Sequence, residues 1–110
     1  MPEYVRVGAL ADFPPDEVRV RLVKGEQVSV VNSGGKFYAV GGFCTHQRIS
    51  LRGSYVETKW LWCWLHYSAF DMETGAVMEG PARDLIPVYS VRVQGEDVLV
   101  SLGEAKPATI

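Results

Sequence analysis

Apolar and polar positions alternate along most of this chain with a period of two. Val18-Arg19-Val20-Arg21-Leu22 shows it most plainly, and the pattern suits a strand with one buried face. Gln27 to Val31 and Lys36 to Val40 flank Asn32-Ser33-Gly34-Gly35, which predicts a hairpin. Val56 to Trp62 reads as one further strand. Phe70 to Asp71 and Ala76 to Met78 flank Glu73-Thr74-Gly75, and Val88 to Val93 and Val98 to Leu102 flank Gln94-Gly95-Glu96-Asp97. Ala9-Leu10-Ala11-Asp12 fits a single helical turn, ended by Pro14-Pro15, and the tail from Glu104 is too polar to pack. Strands at this spacing, with glycine-rich turns and no helical stripe, predict an all-β fold, an antiparallel β barrel or sandwich.

The 110 residues suffice for one domain and not for two. A chain of this length buries enough surface to fold without disulfides. Its charge is nearly balanced, at −2, with no dense basic stretch and no aromatic-plus-basic array, so nucleic acid is not an expected partner. The opening residues MPEYVRVGALADFPP lack the cationic-then-apolar order of a signal peptide. No apolar run approaches the ~20 residues of a spanning helix. The expected setting is cytoplasmic, with no membrane anchor.

The chemistry is concentrated in four residues, Cys44, His46, Cys63 and His66. They form Cys-x-His, sixteen intervening residues and Cys-x-x-His, and they are the only two cysteines and two histidines in the chain. Gly41-Gly42 precedes the first pair, and Leu61-Trp62 leads into the second. Both pairs are expected on loops projecting from the β scaffold, joined through a hairpin at Gly53-Ser54-Tyr55. A structural zinc ion also takes two Cys and two His. Familiar zinc spacings, however, put Cys with Cys and His with His. Here each loop offers one thiolate and one imidazole, a division that suits two adjacent metals. A zinc-stabilised structural β module and a coincidence of buried residues are the alternatives.

The sequence resembles the Rieske family over almost its whole length, most specifically from Cys44 to Pro81. Cys44-Thr45-His46 and Cys63-Trp64-Leu65-His66 match the two cluster loops. Ser68-Ala69-Phe70-Asp71 with Thr74-Gly75 matches the segment after the second loop, and Gly80-Pro81-Ala82 the proline loop that covers the cluster. The resemblance implies a single Rieske domain over 1–110, with a basal barrel and a small cluster-binding subdomain at about 43–83. It implies one [2Fe–2S] cluster, with Cys44 and Cys63 on the inner iron and His46 and His66 on the outer one. It also implies a carrier of single electrons from a reductase to a terminal oxygenase or similar oxidoreductase, and not an enzyme in its own right. No histidines are left over for a mononuclear iron site. The small subunit of a nitrite reductase, which has the same fold, is the rival within the family.

Neighbours of the ligands indicate the branch. Respiratory members carry a disulfide between the loops, at positions occupied here by Ile49 and Leu65. Ser68 matches their serine donor to the cluster sulfurs, but Phe70 replaces their tyrosine. Fewer donors lower the potential, so the resemblance is to low-potential ferredoxins that feed bacterial oxygenases. Tyr67 stands where the family commonly has glycine, and the expectation is a local conformation open to any residue. Trp60 and Trp62 are expected in the core. Trp64, with Ile49 and Leu65, is expected to form an apolar tip that docks a redox partner or shields the cluster. Arg48 and Arg52 are either solvated charge or steering groups.

Overall fold

A computed structural model describes residues 3–45, 49–65, 67–80 and 82–102. Among the described residues, ten strands form two antiparallel sheets. The larger contains β1 (Val5–Ala9), β2 (Arg19–Val23), β3 (Glu26–Ser33), β4 (Lys36–Gly41), β9 (Val88–Gln94) and β10 (Asp97–Ser101), in the order β1-β10-β9-β4-β3-β2. The smaller contains β5 (Tyr55–Glu57), β6 (Trp60–Trp62), β7 (Ala69–Asp71) and β8 (Val77–Glu79), in that order. It is built entirely from the chain between β4 and β9. The all-β expectation holds. Among the described residues no helix is long and apolar enough to cross a membrane.

Turn chemistry explains the tight connections. Lys24-Gly25 and Gly34-Gly35 each have positive φ at both positions, and their flanking pairs are Val23↔Glu26 and Ser33↔Lys36. Two consecutive left-handed residues match the twist of the strands they join. Asn32 and Ser33, expected in the turn, therefore belong to β3. The expected helical turn is present as a short 3-10 turn, Leu10–Asp12, where the Asp12 carboxylate accepts the Ala9 N–H at 2.9 Å.

The six-stranded sheet curls until β1 lies against β2. Arg21 spans that seam. Its Nε donates to the Val7 carbonyl at 3.2 Å, and its guanidinium lies 5.3 Å from the centre of the Phe13 ring. The alternating face of β2 is thus divided. Val18 and Val20 pack beneath the small sheet, whereas Leu22 lies beyond its reach and is exposed.

β3 and β4 are buried on both faces, which accounts for the apolar run in the middle of each. Val28, Val30 and Ala39 point into the barrel with Phe13, Val23, Val98 and Val100. Val31 and Val40 point the other way, toward Leu61, Phe70, Met72 and Ile86. This second core joins the two sheets, and it contains both Cys44 and Cys63.

Three expectations need correction. Val56 to Trp62 is not one strand but the hairpin β5–β6, turning at Thr58-Lys59 with Thr58 at φ 57°. A β-branched residue is a poor signal for that conformation. Gly53-Ser54 forms a turn closed by Ser54 N–H to the Leu51 carbonyl at 3.0 Å, which leads into β5. Trp60 and Trp62 are half-buried, leaning on one another at 5.9 Å, while Leu61 between them occupies the core.

An exposed ion network links the sheets. Glu73 accepts from Lys36 of β4 at 2.8 Å and from Lys59 of the β5–β6 turn at 3.2 Å. Its carboxyl sits below the usual glutamate range because of the hydrogen bond from Lys36, followed by that from Lys59. A depressed folded-state pKa contributes stability above the unfolded value and loses it as pH falls through the folded one. The stability difference between the parent and Glu73→Gln should therefore be full at neutral pH. It should begin to fall near the ordinary glutamate value of 4.5, vanish below the depressed folded-state value, and shrink in high salt. Thermal melts across pH and salt measure this.

Gly42 carries the chain out of β4 toward the first cysteine. A Cβ there would lie 2.8 Å from the Gln27 carbonyl oxygen, and the Gly42 N–H donates to that same oxygen at 2.9 Å. Gly42→Ala should cost about 1–3 kcal/mol, the range for overpacking a tight site, as read by urea unfolding.

Candidate metal centre

Each cysteine lies at the root of a loop that backbone hydrogen bonds close. In the first loop Gly42 N–H is bonded to Gln27, Leu51 N–H donates to the Gly42 carbonyl at 2.9 Å, and Phe43 pairs with Ser50. Cys44 N–H then donates to the Ile49 carbonyl at 2.9 Å, completing the neck. The second loop continues the β6–β7 hairpin. Beyond the pair Trp62↔Ala69, Cys63 N–H donates to the Ser68 carbonyl at 2.7 Å. His46 and His66 lie outside the described residues, as do Arg48 and Pro81.

Tyr67 closes the second loop. Its N–H donates to the Cys63 carbonyl at 3.0 Å and its φ is 60°. The local conformation is thus not open to any residue. It is left-handed, which costs an L-residue with a β-carbon about 1–2 kcal/mol. The Tyr67 ring stacks on Tyr55 at 6.4 Å with an interplanar angle of 7°, a contact that offsets part of that cost.

A third segment covers both loops. Ala82 N–H donates to the Ser68 hydroxyl at 2.9 Å, and Thr45 Oγ1 donates to the Asp84 carbonyl at 2.6 Å. Ile86 N–H reaches the Gly75 carbonyl at 3.0 Å, and Gly41 N–H the Pro87 carbonyl at 3.0 Å. The two cysteine loops are therefore each fastened to 82–87. Ser68 and Phe70 are fully buried, Phe70 in the same core as both cysteines. Because the Ser68 oxygen already accepts from Ala82, its own hydrogen is left to donate.

Trp64, Leu65 and Tyr67 are exposed at 42, 37 and 57%, and Ile49 is partly buried. Trp64 is also tied down. Its indole N–H donates to the Ser50 carbonyl at 3.0 Å and its backbone N–H to the Ser54 hydroxyl at 3.3 Å. Arg52 is exposed. Beside the first loop, a cleft of about 340 Å³ is lined by Glu26, Gln27, Cys44, Thr45, Leu85 and Tyr89, among others. Burial, and then the charge of Glu26, raise the Tyr89 hydroxyl above its ordinary range, so it stays protonated.

The donor set fits a soft metal centre. Cys44 and Cys63 are buried in one core, and neither is in a disulfide. A thiolate in apolar surroundings is disfavoured unless a metal holds it.

The model of the Rieske [2Fe–2S] domain matches residues 3–90 of this chain. The ferredoxin subunit of 3-phenylpropionate/cinnamic acid dioxygenase from Shigella boydii serotype 4 (strain Sb227) is 34% identical over 99 residues, covering 89% of this chain and 92% of that protein. The ferredoxin in a complex of reduced oxygenase and oxidised ferredoxin of carbazole 1,9a-dioxygenase superposes with a TM-score of 0.84 at 30% identity, covering 94% of this chain and 95% of that one. The small subunit of an NADH-dependent nitrite reductase from Mycobacterium tuberculosis superposes with a TM-score of 0.84 at 20% identity, covering 92% and 96%, a likeness of fold alone. The two closed loops, their buried thiols and these matches lead to one conclusion: the chain belongs to the Rieske [2Fe–2S] domain family, carries one [2Fe–2S] cluster and works as an electron carrier rather than a catalyst.

Proposed function

We propose that Cys44 and Cys63 hold the inner iron and His46 and His66 the outer iron. We further propose that the protein passes electrons from a reductase to a terminal oxygenase in the cytoplasm. The observation that carries the ligand assignment is the burial of both thiols in one core, at the necks of two loops fastened to a common third segment. The oxygenase role draws on the dioxygenase ferredoxin subunit and the oxygenase–ferredoxin complex to which the chain is similar. The likeness to a nitrite reductase subunit is of fold alone and adds no second reading.

When bound, the cluster accepts and releases one electron at a time. The protein's residues set the conditions. Leu61, Phe70, Met72 and Ile86 share a buried core with both cysteines and would keep water from the thiolates. Ser68 is placed to donate a hydrogen bond, with its orientation fixed by the Ala82 N–H. Phe70 offers no donor from the position where a tyrosine hydroxyl would stand. Exposed Trp64 and Leu65 offer an apolar rim on which a partner would dock.

Iron and acid-labile sulfide analysis of the purified protein should give two of each per chain. Each of Cys44→Ser, His46→Ala, Cys63→Ser and His66→Ala should lose the visible spectrum. One stoichiometric zinc without sulfide, or a normal spectrum in any of the four variants, would overturn the ligand assignment. The midpoint potential should lie near the low end of the Rieske range, roughly −150 mV rather than about +300 mV. Phe70→Tyr should raise it, because a hydroxyl donor to a sulfur favours the more negative reduced state. Voltammetry at neutral pH checks both values, and an unchanged potential in Phe70→Tyr would place residue 70 out of reach of the cluster.

A further inference from the structure

Trp64 follows Cys63 directly in the second ligand loop, yet both of its polar bonds go to the returning arm of the first. The indole N–H donates to the Ser50 carbonyl at 3.0 Å, and the backbone N–H donates to the Ser54 hydroxyl at 3.3 Å. Ser50 is the residue that pairs with Phe43 at the neck of the first loop. Ser54 follows the turn closed by its own N–H on the Leu51 carbonyl. Two attachments from one residue, to points on either side of that turn, restrain both the distance between the loops and their relative rotation.

Below Trp64 the β5–β6 ladder joins the two arms at the pair Tyr55↔Trp62, and the Tyr55 ring stacks on Tyr67; nearer the loop tips the other described ties are indirect. Thr45 fastens the first loop to Asp84, and Ser68 fastens the second to Ala82, so those two bonds join the loops only through the 82–87 segment. The cysteines are not linked to each other by a disulfide. Leu65 and Ile49, which the family resemblance aligns with the interloop disulfide of respiratory members, carry no sulfur. Burial is a weak explanation of the indole, since Trp64 remains 42% exposed.

We propose that Trp64 is a positioning residue: a non-covalent latch whose indole bond to the Ser50 carbonyl holds the two ligand loops together and so governs how long the cluster stays bound. The inference rests on the two loops enclosing a cluster, and adds to that reading the element that keeps them closed. Release of iron requires one loop to swing away from the other. The indole bond must break in that motion, whereas the barrel and its core need not open. Removing the bond should therefore speed cluster loss without speeding global unfolding.

The test uses the cluster-loaded full chain. Trp64→Phe keeps an aromatic ring and removes the donor. Bleaching of the visible absorbance in excess iron chelator should run roughly two- to tenfold faster than in the parent, the span expected for one net hydrogen bond. Urea-driven unfolding, followed by far-UV circular dichroism, should keep the parent rate. Trp64→Ala should bleach at least as fast as Trp64→Phe. Replacing the indole by benzothiophene at position 64 removes only the N–H and should reproduce the faster bleaching even where the phenyl ring fails to fold. A parent without [2Fe–2S] absorbance would overturn the reading of the centre and the latch with it. A normal parent that bleaches at the same rate as the benzothiophene variant would overturn the latch alone. Faster bleaching matched by equally faster unfolding would do so as well.

Discussion

The apolar layer between the two sheets is the constraint on which the rest of this structure depends. Val31 and Val40 from the outer faces of β3 and β4 meet Leu61, Phe70, Met72 and Ile86, and the two cysteines are members of the same layer. The site is therefore not a separate construction laid on a finished barrel. Deleting a large side chain from that layer would cost several kcal/mol in a typical core. Here it would also move the necks of the ligand loops. Close packing transmits such shifts because interiors have little free volume to absorb them.

Above that layer the loops are held by directional bonds rather than by area. Each neck is closed by a backbone bond from its cysteine N–H, to Ile49 in one loop and Ser68 in the other. The 82–87 segment then fastens both through Thr45 and Ser68. Gly42 is needed where the first loop departs, because the backbone of Gln27 occupies the space of a side chain. Tyr67 stands where the second returns, in a left-handed conformation more costly for tyrosine than for glycine. The local strain sits beside a proposed ligand, and the stack on Tyr55 gives it a structural counterweight.

The same arrangement explains how a small fold can tune a redox centre with few residues. Phe70 and Ser68 are both fully buried, and the Ser68 hydroxyl is oriented by the Ala82 N–H. Hydrogen bonds to cluster sulfurs are a principal control of potential. On the proposed ligand assignment, Phe rather than Tyr at position 70 would remove one such donor without changing the size of the ring. Trp64, Leu65 and Tyr67, by contrast, are exposed.

The chain by itself determined the class of fold, most of the hairpins and the four candidate ligands. These are local properties: side chains alternate across a strand every two residues, glycine pairs permit left-handed turns, and two cysteines and two histidines in short clusters leave no competing donors. What it left open depended on partners distant in sequence. β1 became a strand because β10 offered it an edge, and Arg21 turned toward the barrel because Val7 and Phe13 stood across the seam. Val56 to Trp62 split into two strands at Thr58, a residue whose type argues against the conformation it adopts. Trp60 and Trp62 lost the core to Leu61 because the small sheet presents that face to the barrel. Tyr67 was forced into a left-handed conformation by the return of its loop into β7. Alternation states which residues share a face, but only the packing of one sheet on the other decides which face is inside.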